Sequence, residues 1–157
     1  MKYVFDTSSL INMFRHYYPK RFPSLWEKFN KLISDKSFFL VREVYNEIME
    51  FHKEDRLAEW AKENRHLFSQ PSDKEMVFIN QIFSVNHFQS LIEKKKILSG
   101  KPVADPFLVA KAKIEEATLV TQEMFKKDAA KIPNVCKHFD IPCTNLEGFM
   151  EKEGWQF

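Results

Sequence analysis

Three short apolar runs, Tyr3-Val4-Phe5, Phe38-Phe39-Leu40-Val41 and Thr118-Leu119-Val120-Thr121, constrain this chain most, because each stops abruptly at polar or acidic residues. Runs of this length, bounded by polar residues, read as buried strands rather than helices. Between them the apolar residues recur at helical spacing. Leu10, Ile11, Met13 and Phe14 follow the first run, where Thr7, Ser8 and Ser9 offer N-cap chemistry. Leu25, Trp26, Phe29, Leu32 and Ile33 form the next face, then Val44, Ile48 and Phe51, then Leu57, Trp60, Ala61, Asn64 and Leu67. Gln70-Pro71-Ser72-Asp73 breaks the pattern and caps a helix carrying Met76, Ile79, Ile82 and Phe83. A further helix runs through Phe88, Leu91, Ile92 and Lys95 to a loop at Ser99-Gly100-Lys101-Pro102. Asp105-Pro106 opens a helix with Leu108, Val109, Ala112 and Ile114, since proline is tolerated in a first turn. A short helix with Val135, Cys136 and Phe139, a last strand at Ile141-Pro142-Cys143 and a helix over 146–152 complete the pattern. The alternation predicts an α/β fold: a three-layer sandwich around a parallel sheet of four to five strands, in one domain over 1–157.

Composition narrows the function classes. Only three glycines oppose a loop-rich β sandwich, and sixteen phenylalanines predict a bulky aromatic core. The N-terminal apolar run is broken by Asp6, so neither a signal peptide nor a membrane span is expected there. Two cysteines, Cys136 and Cys143, suit a reducing cytoplasm and read first as small buried hydrophobes. A net charge of +2 means that any basic footprint for nucleic acid is local. The five histidines form no pair at metal-ligand spacing, and no P-loop, GxGxxG or GxSxG is present.

Ligands in open parallel sheets bind at the carboxyl ends of the strands. Acids cluster at those ends here. Asp6 closes the first run, Glu43 and Glu47 follow the second, Glu123 follows the third, and Asp105 starts a helix. Singly, each has a structural explanation as a cap, a dipole partner or a solvated side chain. Gathered by topology, they would repel one another unless cations bound between them.

FDTSSLI at the N-terminus, FFLVREVYNEI, ADPFLVAKA and LVTQE stand in the order found in PIN domains, and the chain resembles that family almost to its last helix. The resemblance implies a metal-dependent endoribonuclease, similar to the VapC toxins of bacterial toxin–antitoxin pairs, in a less characterised prokaryotic branch. It implies Asp6, Glu47, Asp105 and Glu123 as catalytic and metal-holding acids, with Ser8 and Thr121 as supporting hydroxyls. Glu43, four residues before Glu47, shares its helical face and competes with it. An Asp or Asn is usual at the fourth position, so Asp128 competes with Glu123. Hard oxygen ligands suit Mg²⁺ or Mn²⁺. The resemblance also implies an RNA substrate, a protein antitoxin and a tendency to dimerise.

A polyanionic substrate needs cations near the acids. Arg15, His16, Lys20, Arg21, Arg42, Lys126, Lys127 and Lys131 are candidates, with Tyr17, Tyr18 and Phe125 available for stacking on bases. Two rivals stand beside the nuclease. A phosphotransferase using Asp6 as nucleophile would want a second Asp two residues on, where the chain has Ser8. A catalytically silent PIN-like module, binding RNA or protein, would keep the fold without the chemistry.

Overall fold

A computed structural model describes residues 1–91 and 104–157. Each apolar run is a strand, β1 (Tyr3–Phe5), β2 (Phe38–Val41) and β4 (Thr118–Val120). Two further strands of two residues each, β3 (Phe68–Ser69) and β5 (Cys143–Thr144), make the outer edges. The five run parallel in the order β3-β2-β1-β4-β5. Helices α1 (Thr7–His16), α2 (Pro23–Ser34), α3 (Arg42–Phe51), α4 (Arg56–Glu63), α5 (Asp73–Ser84), α6 (Asp105–Glu115), α7 (Ile132–His138) and α8 (Leu146–Lys152) connect and cover them.

Side chains alternate across a strand, so Tyr3 and Phe5 face one layer and Val4 the other. On the first face, Phe5 meets Phe38 and Phe149 edge-on with ring centroids 5.0 Å apart in both pairs, and Phe29 meets Phe38 at 4.8 Å. Such pairs add about 0.5–1.5 kcal/mol each beyond buried area. Trp26, Trp60 and Trp155 join this aromatic layer, so all three tryptophans serve packing rather than an exposed interface. On the other face α6 lies against β1, β2 and β4, with α5 beside it. Its Leu108, Val109, Ala110 and Ala112 are all buried, which is why its apolar residues show little one-sided periodicity. Lys111 is buried there too. Its ammonium reaches Glu75 at 3.3 Å and Glu115 at 3.6 Å, and sits 5.6 Å from the centroid of the Phe39 ring.

Three differences from the sequence reading have local causes. The helix expected through Asn64 and Leu67 stops at Glu63, and a 3₁₀ turn over Arg65–Leu67 leads into β3. The last strand begins at Cys143 rather than Ile141, although the Pro142 carbonyl already accepts the Leu119 amide at 2.8 Å. Asn86–Leu91 form a 3₁₀ helix, while the expected continuation through Ile92 and Lys95, and the loop at 99–102, lie outside the described residues.

With few glycines, the chain ends helices on other residues. Lys36, Glu116 and Asp140 take left-handed φ of 57°, 53° and 55°. Beyond each, an amide closes back on the helix: Ser37 to Leu32 O at 3.0 Å, Ala117 to Ala112 O at 2.9 Å, and Ile141 to Cys136 O at 2.9 Å. These are glycine-type stops with a side chain present, each costing about 1–2 kcal/mol in backbone strain.

Candidate active site

β1 lies between β2 and β4, so the strand order reverses beside it, and in such sheets ligands bind at the carboxyl ends of the strands at this point. Asp6 stands at this point, buried and immediately after β1. It is the N-cap of α1: its Oδ1 accepts the Ser9 amide at 2.8 Å. The sequence offers both Asp6 and the hydroxyls of Thr7, Ser8 and Ser9 as caps; those hydroxyls have other tasks. Ser8 donates to the Asp6 carboxylate at 2.8 Å and accepts the Gln122 amide at 3.2 Å. Ser9 donates to the Val120 carbonyl at 3.0 Å, tying α1 to the end of β4. Thr121, buried just past β4, donates to Asp6 Oδ2 and accepts the Glu123 amide at 3.1 Å. Burial raises the Asp6 carboxyl above its ordinary range; the bonds from Thr121, the Ser9 amide and Ser8 pull it partway back.

Glu47 joins two distant parts of the chain. Its Oε2 accepts the Thr7 hydroxyl at 2.5 Å, and its Oε1 accepts the Ala104 amide at 3.0 Å. Thr7 adjoins Asp6, and Ala104 adjoins Asp105, the buried first residue of α6. One carboxylate therefore draws the segments carrying residues 6 and 105 to the same edge of the sheet. Glu43, one helical turn before Glu47, is buried with Oε1 held by Arg42 at 2.8 Å; its Oε2 has no hydrogen-bond partner among the described residues.

The fourth acid is placed differently from its competitor. Glu123 Oε2 accepts the Ile132 amide at 2.9 Å, the first amide of α7, so this side chain is anchored by that helix start. Asp128 is exposed, at φ 61°, and lines a separate cavity of about 410 Å³ with His87, Asn134 and His138. Asn134 also clamps the loop carrying Lys126 and Lys127, donating to the Lys126 carbonyl at 2.7 Å, and both lysines project to solvent. Arg15 is exposed beside Tyr18 and Arg56 around a cavity of about 300 Å³. Arg42, by contrast, is occupied in neutralising Glu43.

The sequence reading missed Thr7 and Gln122. Thr7 seats Glu47; Gln122 fastens Ser8 through its amide and accepts the Leu146 amide at 2.8 Å through its side chain. Three consecutive hydroxyl residues after a strand-ending Asp were the available signal.

The side chains bonded to Asp6 and Glu47 among the described residues are hydroxyls, and the acids offer hard oxygen, which fits a cation of the Mg²⁺ or Mn²⁺ kind. Among the described residues no three His, Cys, Asp or Glu side chains form a group ready to hold a metal ion. Mg²⁺ is commonly held through one or two carboxylates and keeps several waters; Asp6, Glu47 and Asp105 are the carboxylates that would hold one. One turn away, Glu43 is already paired with Arg42, and only its Oε2 lacks a hydrogen-bond donor among the described residues.

Fold and site together define an α/β protein with acids and their hydroxyl partners at the switch point of a parallel sheet. The chain belongs to the family described as Domain of unknown function (DUF4411), which it matches over residues 3–157. Comparison with curated proteins gives no match. Among the described residues no helix is long and apolar enough to cross a membrane.

Proposed function

We propose that the protein is a divalent-metal-dependent endoribonuclease of the PIN type, hydrolysing RNA phosphodiester bonds with Asp6, Glu47 and Asp105 at its centre. One observation carries the proposal: the paired bonds of Glu47 to Thr7 and Ala104, which draw together the neighbours of two acids ninety-nine residues apart (105 minus 6). Asp6 would hold the ion, its carboxylate fixed in direction by Ser8, Ser9 and Thr121. Asp105 and Glu47 would complete the oxygen set, and Glu123, anchored on α7, would bound the site from the β4 side. A bound Mg²⁺ or Mn²⁺ supplies Lewis acidity and positive charge toward a phosphodiester. Arg15, Lys126 and Lys127 are the exposed cations available to the rest of the strand. As an extension resting on the sequence resemblance, the protein is the cytoplasmic toxin of a toxin–antitoxin pair.

Cleavage of single-stranded RNA by purified protein, with Mn²⁺ and with chelator, tests this. Wild type should cut only with Mn²⁺, and Asp6→Asn and Asp105→Asn should not cut. Equal rates for all three proteins would reject the assignment. A second reading, a silent RNA- or protein-binding module of the same fold, is favoured by the full engagement of both Asp6 oxygens with protein donors. RNA binding without Mn²⁺-dependent cleavage would establish it.

A further inference from the structure

The two cysteines meet where α7 returns to the sheet. Cys136 is fully buried in α7, and its carbonyl accepts the Ile141 amide at 2.9 Å, turning the chain back beneath the helix. From there the segment runs beside β4: Leu119 bonds to the Pro142 carbonyl at 2.8 Å and Thr121 to the Thr144 carbonyl at 2.9 Å. Residues two apart in such an extended segment face the same way. Ile141 and Cys143 accordingly both line one cavity of about 600 Å³, together with Pro133 and Lys137 of α7. Cys143 is half-buried on that wall, in β5, which packs against α7, the helix that carries Cys136.

We propose that Cys136 and Cys143 are a reactive dithiol, in which Cys143 is the thiol open to small disulfides and Cys136 the one that resolves the product. The Cys143 sulfur, as thiolate, attacks one sulfur of a low-molecular-weight disulfide such as oxidised glutathione. That S–S bond breaks, one thiolate leaves, and a mixed disulfide remains on Cys143. The Cys136 sulfur then attacks the Cys143 sulfur, expels the second small thiol and gives up its proton to solvent or to the leaving sulfur. The protein dithiol is oxidised by two electrons, and the small disulfide is reduced to two thiols. Interaction with the Cys143 thiol, and burial, hold the Cys136 thiol well above its usual range; the same interaction favours the thiolate at Cys143, against burial and the charges of Asp6 and Glu123. The partition of roles rests on access: one sulfur on a cavity wall, the other enclosed.

The test is to incubate the native full chain with excess oxidised glutathione and follow intact mass and free thiols. Wild type should lose two thiols and two hydrogen masses and retain no glutathione. Cys136→Ala should hold one glutathionyl group on Cys143, and Cys143→Ala should stay unmodified while folded. Trypsin cuts after Lys131, Lys137 and Lys152, so a 136–143 disulfide joins the peptides 132–137 and 138–152 in the wild type even should Cys136→Ala fail to fold. A stable glutathione adduct on the wild type, two unreacted thiols, or disulfides only between chains would each overturn the proposal.

Discussion

Replacing Asp6 by Asn and, separately, by Ala divides its structural task from its charge. Asn keeps an oxygen for the Ser9 amide, and Thr121 and Ser8 can accept as well as donate, so the cap survives. Ala loses the cap, worth about 1 kcal/mol. It also strands the buried Thr121 hydroxyl as a donor, costing about 1–3 kcal/mol. The difference between the variants is about 2–4 kcal/mol, or about 4–16 °C in Tm for a chain of this size. The sign for Asn follows from burial. The Asp6 carboxyl is raised above 3.8 in the fold, so its contribution to stability is complete below that value and is lost as pH rises through the folded pKa. At neutral pH the buried charge is a net cost, which Asn removes. Thermal unfolding in chelator should therefore rank Asn at or above wild type, with Ala far below, and Asn should gain on wild type between about pH 4 and pH 7. Saturating Mn²⁺, at about one hundred times its Kd, should add about 2.7 kcal/mol to wild type alone. Asn falling as far as Ala would refute the capping argument. An equal Mn²⁺ shift in Asn and wild type would refute the metal assignment.

Lys111→Met leaves Glu75 charged in a dry setting and should cost about 3–5 kcal/mol by denaturant unfolding, whereas Lys111→Met with Glu75→Leu should recover most of it. A single-variant loss below about 1 kcal/mol would show that water reaches Glu75. Glu116→Gly should stabilise by about 1 kcal/mol, since the left-handed stop after α6 then carries no Cβ; a loss would point to a role for its side chain. Glu47→Gln keeps its oxygen for the Ala104 amide, and the Thr7 hydroxyl can accept from the new amide nitrogen, so only the charge is lost; RNA cleavage should fall at least tenfold (about 1.4 kcal/mol in barrier) with little change in Tm. Unchanged cleavage would remove Glu47 from the chemistry.

The sheet's three inner strands were legible because each is an uninterrupted apolar run with a polar stop, and the topology followed from the helical stretches between them. Asp6 and Asp105 stood out because each sits where an element begins. Of the outer strands the last was legible, with its start placed two residues early, whereas Phe68–Ser69 was hidden: two residues show no alternation, and they pair with β2 only because the 3₁₀ turn before them redirects the chain. Partners across long separations were equally invisible. Nothing in the spacing of Thr7, Glu47 and Ala104 says that they meet, and Glu123 looks like any strand-end acid until α7 offers it an amide.

Asp6 both starts a helix and furnishes negative charge to the site, and those two demands tolerate different replacements. Asn or Ser would still begin α1, so a descendant without this carboxylate could keep its shape with one codon altered. Glu, a methylene longer, would preserve the charge while displacing the oxygen from the Ser9 amide. Loss of the charge is thus a shorter evolutionary step from this architecture than a change of acid.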